Sequence, residues 1–169
     1  MIKTREDIPA YLSEAYPCAR ICEVGVCKGD NLRSLLRCQP SLAVGVDLWP
    51  ANRRRYYRNL CVEFLENPVV KLCKMSSKEA ASIFADNEFD YVYLDACHSY
   101  EAVKQDIELW WPKVITGGIL AGHDYTDEES TRSPVEYKKG VIRAVDEFRG
   151  DRKFLVTRER WPSWMVWKS

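Results

Sequence analysis

The chain has 169 residues, 46% hydrophobic and 30% charged, a balance that suits a globular protein and rules out a fibrous or disordered one. Its 25 basic and 25 acidic residues cancel, so net charge gives no reason to expect a nucleic acid or a membrane as partner. One domain spanning residues 1–169, with room for a real core, is the simplest organisation.

The N-terminus reads Met1-Ile2-Lys3-Thr4-Arg5-Glu6-Asp7, without the apolar core of a signal peptide. Residues 4–16 read as a leading helix, with Thr4 as N-cap and Pro17 as stop. A first strand over 19–26 runs into Glu23-x-Gly25-x-x-x-Gly29, and a helix over 30–38 follows at once through Leu32, Leu35 and Leu36. Glycines in such a turn allow close backbone approach, and free N–H groups at the helix start suit a polar or anionic ligand group. A second strand, 42–48, contains Leu42-Ala43-Val44-Gly45-Val46-Asp47 and so places a carboxylate about 20 residues past the glycine turn, where a ribose-binding acid is expected.

An Arg- and Tyr-rich helix over 51–65 ends at Asn67-Pro68. A third strand covers 69–75. Ser76-Ser77-Lys78-Glu79 is a capping signature opening a helix with Ala80, Ala81, Ile83 and Phe84. A fourth strand, 89–94, ends at Asp95. The helix over 100–111 is amphipathic, with Val103, Ile107 and Trp110 on one face. Thr116-Gly117-Gly118 reads as a turn into a fifth strand, 119–122, ending at His123-Asp124. The polar stretch 125–139 is long for a loop in a compact domain, which points to a functional lid or disorder. A last helix over 141–148 precedes two short strands, 154–157 and 163–167, close enough to form a hairpin.

Five strands alternating with helices imply an α/β protein with an open, mostly parallel sheet covered on both faces, and the hairpin adds an antiparallel strand. Ligands bind such sheets beyond the C-terminal strand ends. Asp47, Asp95, His123 and Asp124 all fall there, which argues for an enzyme or a cofactor site.

Four segments carry a family resemblance: Glu23-Val24-Gly25-Val26-Cys27-Lys28-Gly29, Gly45-Val46-Asp47-Leu48-Trp49, Leu94-Asp95-Ala96-Cys97-His98-Ser99-Tyr100-Glu101, and residues 117–125. Together they resemble class I S-adenosylmethionine-dependent methyltransferases, and more narrowly a small subgroup with D-x-x-H-x-Y and G-G-x-L-x-G-H-D-Y motifs, similar to sugar O-methyltransferases of macrolide biosynthesis. The resemblance implies a Rossmann-like three-layer αβα sandwich, its seven-stranded sheet in the order 3-2-1-4-5-7-6. It places Glu23, Gly25, Val26, Gly29 and Asn31 around the amino-acid end of S-adenosylmethionine and Asp47 on the ribose. Leu48, Trp49, Met75, Ser76 and Ser77 come at the adenine, with Asp95 also on the cofactor. A serine hydroxyl can donate to a purine nitrogen, and Met75 or Trp49 offers a flat apolar face.

Among metal-dependent relatives an acid after strand four and a pair after strand five bind a divalent ion, so Asp95, His123 and Asp124 form a candidate site for Mg²⁺ or Mn²⁺. A mixed His/Asp set also suits Fe²⁺ or Zn²⁺. In the alternative, His98 or His123 is a general base beside Asp95 and no ion binds. The expected reaction is O-methylation of a small molecule. The other readings are a non-catalytic S-adenosylmethionine-binding module acting with a partner, and a nicotinamide-dependent oxidoreductase, whose G-x-G-x-x-G spacing the chain lacks.

Bland readings suit the remaining features. Arg53-Arg54-Arg55 with Arg58 is a solvated helix face, the tryptophans are core and edge packing, and residues 127–130 are a loop tip. Seven cysteines without a C-x-x-C pair read as reduced thiols, and with no apolar run of membrane-spanning length the expected location is the cytoplasm. A homo-oligomer is left open.

Overall fold

The computed structural model describes residues 1–127 and 139–169. Most of the expected 125–139 loop, and the 127–130 tip beyond Asp127, lies outside them. The seven strands are β1 (Arg20–Val24), β2 (Leu42–Asp47), β3 (Val70–Lys74), β4 (Phe89–Leu94), β5 (Val114–Gly122), β6 (Phe154–Val156) and β7 (Trp164–Trp167). They form one sheet in the order β3-β2-β1-β4-β5-β7-β6. The pairs from β3 to β5 are parallel, and β7 runs antiparallel to both β5 and β6.

Among the described residues six α-helices cover the sheet: α1 (Ile8–Ala15), α2 (Asp30–Leu35), α3 (Arg54–Glu63), α4 (Ser77–Ile83), α5 (Tyr100–Trp110) and α6 (Gly140–Arg149). Alternate strand residues face opposite layers, as a period of two requires. Cys22, Val44, Val92 and Leu120 pack with Ala80 of α4, Ile107 and Trp110 of α5, and Val145 of α6. Their neighbours Ile21, Ala43, Tyr91 and Ile119 pack with Leu12 of α1, Leu32 of α2 and Leu60 of α3. Burying each such side chain contributes roughly 1.5–3 kcal/mol, which is why the central strands read as continuous apolar runs.

Three expectations change. The leading helix begins as a 3-10 turn, Arg5–Asp7, before α1. The helix over 51–65 likewise starts as a 3-10 turn, Ala51–Arg53. The fifth strand starts at Val114, not at Ile119, because Gly117 and Gly118 lie inside it: Val114 pairs with Phe89 and Ile119 with Tyr91, with a register shift between. A glycine pair that reads as a turn, with Gly117 at φ +84, is here a bulge, which bends the strand without ending it.

Candidate functional site

The parallel strands end on one edge, and the loops leaving them build a groove around Gly25. Gly25 sits at φ +100 and donates its N–H to the Val46 carbonyl at 2.8 Å. A Cβ there would lie 2.1 Å from the Asp95 carbonyl oxygen and 2.7 Å from the Ala96 nitrogen. The glycine is therefore required where the loop after β1 touches the loop after β4, a contact between two pieces of backbone. Two cavities, of about 290 and 400 Å³, meet at this point and share Gly25, Cys27 and Asp95.

The smaller cavity is bordered by Arg5, Glu23, Val26, Lys28 and Asn31. Glu23 is 2% exposed. Asn31 Nδ2 donates to its Oε1 at 3.2 Å, while its buried Oε2 has no partner. Burial, reinforced by the charge of Asp95, pushes the Glu23 carboxyl well above the usual range. Burial works against the charge of Arg5, but Tyr93, Asp95 and Glu159 hold its guanidinium above its ordinary value. Arg5 was not foreseen from the sequence. It reaches the groove because the N-terminal segment is tied to the far end of the chain: Arg5 N–H donates to Glu159 Oε1 at 3.1 Å, and Arg158 N–H to the Lys3 carbonyl at 2.9 Å. Gly29, at φ +88, leads into α2 and packs against Leu60, away from both cavities.

The larger cavity runs from Asp47 at the end of β2 to α4 and α5. Asp47 already braces the groove: Oδ2 accepts from Cys27 N–H at 2.8 Å and Oδ1 from Trp49 N–H at 2.7 Å. A carboxylate has about four acceptor positions, so two remain for a ligand. Leu48 is 61% exposed and lies along the cavity. Trp49, by contrast, is fully buried, donates Nε1–H to the Cys27 carbonyl at 2.8 Å and packs on Tyr57. The expected tryptophan face is thus spent inside the protein, and Leu48 with Met75 supplies the apolar wall.

Both serines border this cavity, but neither has a free hydroxyl proton. Ser76 caps α4, accepting from Glu79 N–H and donating to Glu79 Oε2 at 2.7 Å. Ser77 donates to Asp106 Oδ1 at 2.5 Å and accepts from Trp110 Nε1–H at 2.9 Å. The expectation that one of them donates to a purine meets two hydroxyls already in use.

Next to the shared corner, Asp95, His98, His123 and Asp124 come together. Asp124 takes φ +56, a left-handed conformation that aspartate tolerates, and its carboxylate lies between the two rings. His98 bridges the acids, with Nε2 3.1 Å from Asp95 Oδ1 and Nδ1 2.8 Å from Asp124 Oδ2. His123 Nδ1 is 2.9 Å from Asp124 Oδ1 and 3.6 Å from Asp95 Oδ1. Burial alone would depress the basicity of His98. The hydrogen bonds to Asp124 and Asp95 outweigh it and lift the imidazolium pKa to about 10. Burial would raise the Asp124 carboxyl, but the two histidines hold it well below the usual carboxylate range.

The expected Mg²⁺ or Mn²⁺ site at Asp95, His123 and Asp124 does not fit this arrangement. Among the described residues no group of three or more His, Cys, Asp and Glu side chains is arranged to hold a metal ion. The two carboxylates share the His98 ring, whose positive charge takes the place an ion would otherwise fill.

The comparisons with known proteins bear on the family and the fold. The family model described as "Methyltransferase domain" matches residues 22–125. No curated protein matches the sequence. The cofactor-bound structure of Rv0187 from MTB is 17% identical, with a TM-score of 0.71, covering 98% of this chain and 80% of that one. An O-methyltransferase family protein from Burkholderia thailandensis is 15% identical, with a TM-score of 0.67, 97% of this chain covering 56% of it. Spermidine synthase from Thermotoga maritima is 14% identical, with a TM-score of 0.67, over 97% of this chain and 59% of that one. At these identities the likeness is one of fold. The family-model match extends from Cys22, within β1, through the Gly25 turn and Asp95 to Tyr125, so it takes in β2 to β5 and most of the groove: the chain belongs to the methyltransferase-domain family.

Proposed function

We propose that this chain is an S-adenosylmethionine-dependent methyltransferase that methylates a hydroxyl of a small molecule. The observation that carries the reading is the groove itself. An unpartnered buried carboxylate oxygen, Glu23 Oε2, lies at one end, an apolar wall at the other, and Asp95, which stands against His98 and His123, borders the middle. Glu23 and Asn31 suit an α-amino group, and Arg5 and Lys28 a carboxylate. Asp47 suits two ribose hydroxyls, and Leu48 with Met75 the faces of a purine.

S-adenosylmethionine, when bound, supplies a methyl group activated by its sulfonium. The protein's task is then to position the acceptor and to take up its proton. His98 holds its own proton between two acids, so it serves as a brace. Asp124, accepting from His123 Nδ1–H, leaves Nε2 as the basic nitrogen of His123, the arrangement by which an acid orients a general base. His123 therefore takes the proton, and Asp95 presents its carboxylate to the acceptor. The O-methyltransferase family neighbour supports oxygen as the acceptor atom. A metal has no role in this reading, because the donor set is satisfied by its own members.

Titration calorimetry with S-adenosylhomocysteine should show one site per chain, and NAD should give no binding heat; binding of NAD alone would overturn the proposal. The variant Asp47→Ala should bind S-adenosylhomocysteine about 1–3 kcal/mol more weakly, because ribose hydroxyls lose a charged acceptor. It should also melt lower, since Cys27 and Trp49 lose the acceptor of their N–H groups. Unchanged affinity in the folded variant contradicts the ribose assignment.

A further inference from the structure

The larger cavity contains a carboxylate that the methyl-transfer reading does not use. Asp106 sits on the inner face of α5, is 7% exposed, and borders the cavity beside Gln105 and Ala102. A carboxylate so deep in a protein is normally neutralised by a cation. Among the described residues Asp106 has no ion pair.

What it has is a directed chain of hydrogen bonds. Trp110 Nε1–H donates to Ser77 Oγ at 2.9 Å, and an indole can only donate. That fixes the Ser77 hydroxyl, which donates to Asp106 Oδ1. The chain Trp110, Ser77, Asp106 is one-way, each donor polarising the next, and it ends on acceptor capacity. Asp106 Oδ2 receives no donor from the described residues and is not fully enclosed. In the wall of the cavity Met75 and Ala102 carry no side-chain donor, the Ser76 hydroxyl is occupied by Glu79, and among the described residues Arg53, Lys78 and Gln105, which also line it, make no hydrogen bond to Asp106.

We infer that Asp106 is the base-selecting residue of the cofactor groove, an acceptor for the exocyclic amine of adenine. The inference rests on the proposed S-adenosylmethionine site and goes beyond it by assigning base choice to a residue on α5, in place of the serines at the start of α4. The chemistry selects sharply. Adenine carries an amine at position 6, a donor that meets a carboxylate oxygen. Hypoxanthine carries a carbonyl at the same place, and two acceptors would then face one another at a nearly buried carboxylate. A site built around a buried hydrogen-bonding group rejects the analogue that cannot pair with it far more strongly than an apolar pocket rejects a size change. Burial raises the Asp106 carboxyl above its ordinary range, opposed by the Ser77 hydrogen bond, and an amine donated to Oδ2 would help to hold it ionised.

The test compares S-adenosylhomocysteine with its deaminated analogue, S-inosylhomocysteine, by calorimetry on the full chain. The wild-type protein should bind the adenosyl compound at least about 10²-fold more tightly. In Asp106→Asn, the Ser77 hydroxyl still finds an oxygen on the asparagine, which leaves an amide N–H₂ for the cavity. That group donates to the inosyl carbonyl and opposes the adenosyl amine, so the ratio should fall to within about three-fold of unity or reverse. A wild-type protein that binds both compounds equally overturns the inference without need of the variant. A folded Asp106→Asn that keeps the wild-type ratio also overturns it, while leaving the methyltransferase reading intact. A wild-type protein that binds neither compound overturns both.

Discussion

Gly25→Val should yield a protein that neither binds S-adenosylhomocysteine nor melts at the wild-type temperature. Two effects act together. The residue occupies φ +100, a region that costs a residue with a side chain about 1–3 kcal/mol. A Cβ would also lie 2.1 Å from the Asp95 carbonyl oxygen and 2.3 Å from its carbon, distances that backbone atoms cannot tolerate. The loop after β1 must then withdraw from the loop after β4. That breaks the bond from Gly25 N–H to Val46 and displaces Asp95 from the corner where the two cavities meet. We expect a loss of about 3 kcal/mol or more in stability, with Gly25→Ala suffering nearly as much because the clash is with Cβ itself. Denaturant titration and calorimetry on both variants check this. A Gly25→Ala protein with wild-type stability and affinity would show that the two loops can separate freely.

The sequence made the layers legible and the hydrogen bonds illegible. Apolar runs in residues 20–24, 42–47 and 89–94 located three central strands, because a strand that faces helices on both sides is apolar at nearly every position whatever its partners. Ser76 and Glu79 signalled the start of α4 for an equally local reason: a capping box is made by residues three apart. The groove was legible only as positions. Asp47, Asp95, His123 and Asp124 could be placed at strand ends, but not which oxygen each N–H would choose.

Trp49 and Leu48 show the difference most simply. They are adjacent and both apolar, and the left-handed turn at Trp49, φ +37, sends the indole into the core while Leu48 borders the cavity. Nothing local encodes that choice. Arg5 was invisible for another reason. It reaches the groove through contacts with residues 158 and 159, and pairings that distant leave no periodic trace. The extra length of β5 was hidden by chemistry that points the wrong way, since a glycine pair is a turn signal more often than a bulge.

His98→Gln should separate the two accounts of the histidine–carboxylate cluster. In the wild-type protein His98 lies within 3.1 Å of Asp95 and 2.8 Å of Asp124, and its charge balances theirs. Glutamine keeps hydrogen-bonding groups of similar reach but cannot carry the charge, so Asp95 and Asp124 repel and His123 loses its fixed orientation. Misplacing such groups by about 1 Å costs on the order of 10²-fold in turnover.

The stability consequence has a defined sign. The folded-state pKa of His98 is raised from 6.5 to about 10, so its contribution is complete below about 6.5 and drains away as pH rises towards 10. Asp124 is shifted the other way, so its contribution is complete above its ordinary 3.8 and is lost as pH falls below that. The difference in melting temperature between wild type and His98→Gln should therefore be widest between about pH 4 and 6.5 and should close towards pH 10. A difference that stays flat from pH 6 to pH 10 contradicts the charged bridge. A chelator should leave turnover unchanged, because the positive charge between the acids belongs to the imidazolium. Turnover that stops with chelator and returns with Mn²⁺ or Mg²⁺ would mean that the acids part from His98 to take an ion, and His98→Gln should then lose far less activity than the bridge requires.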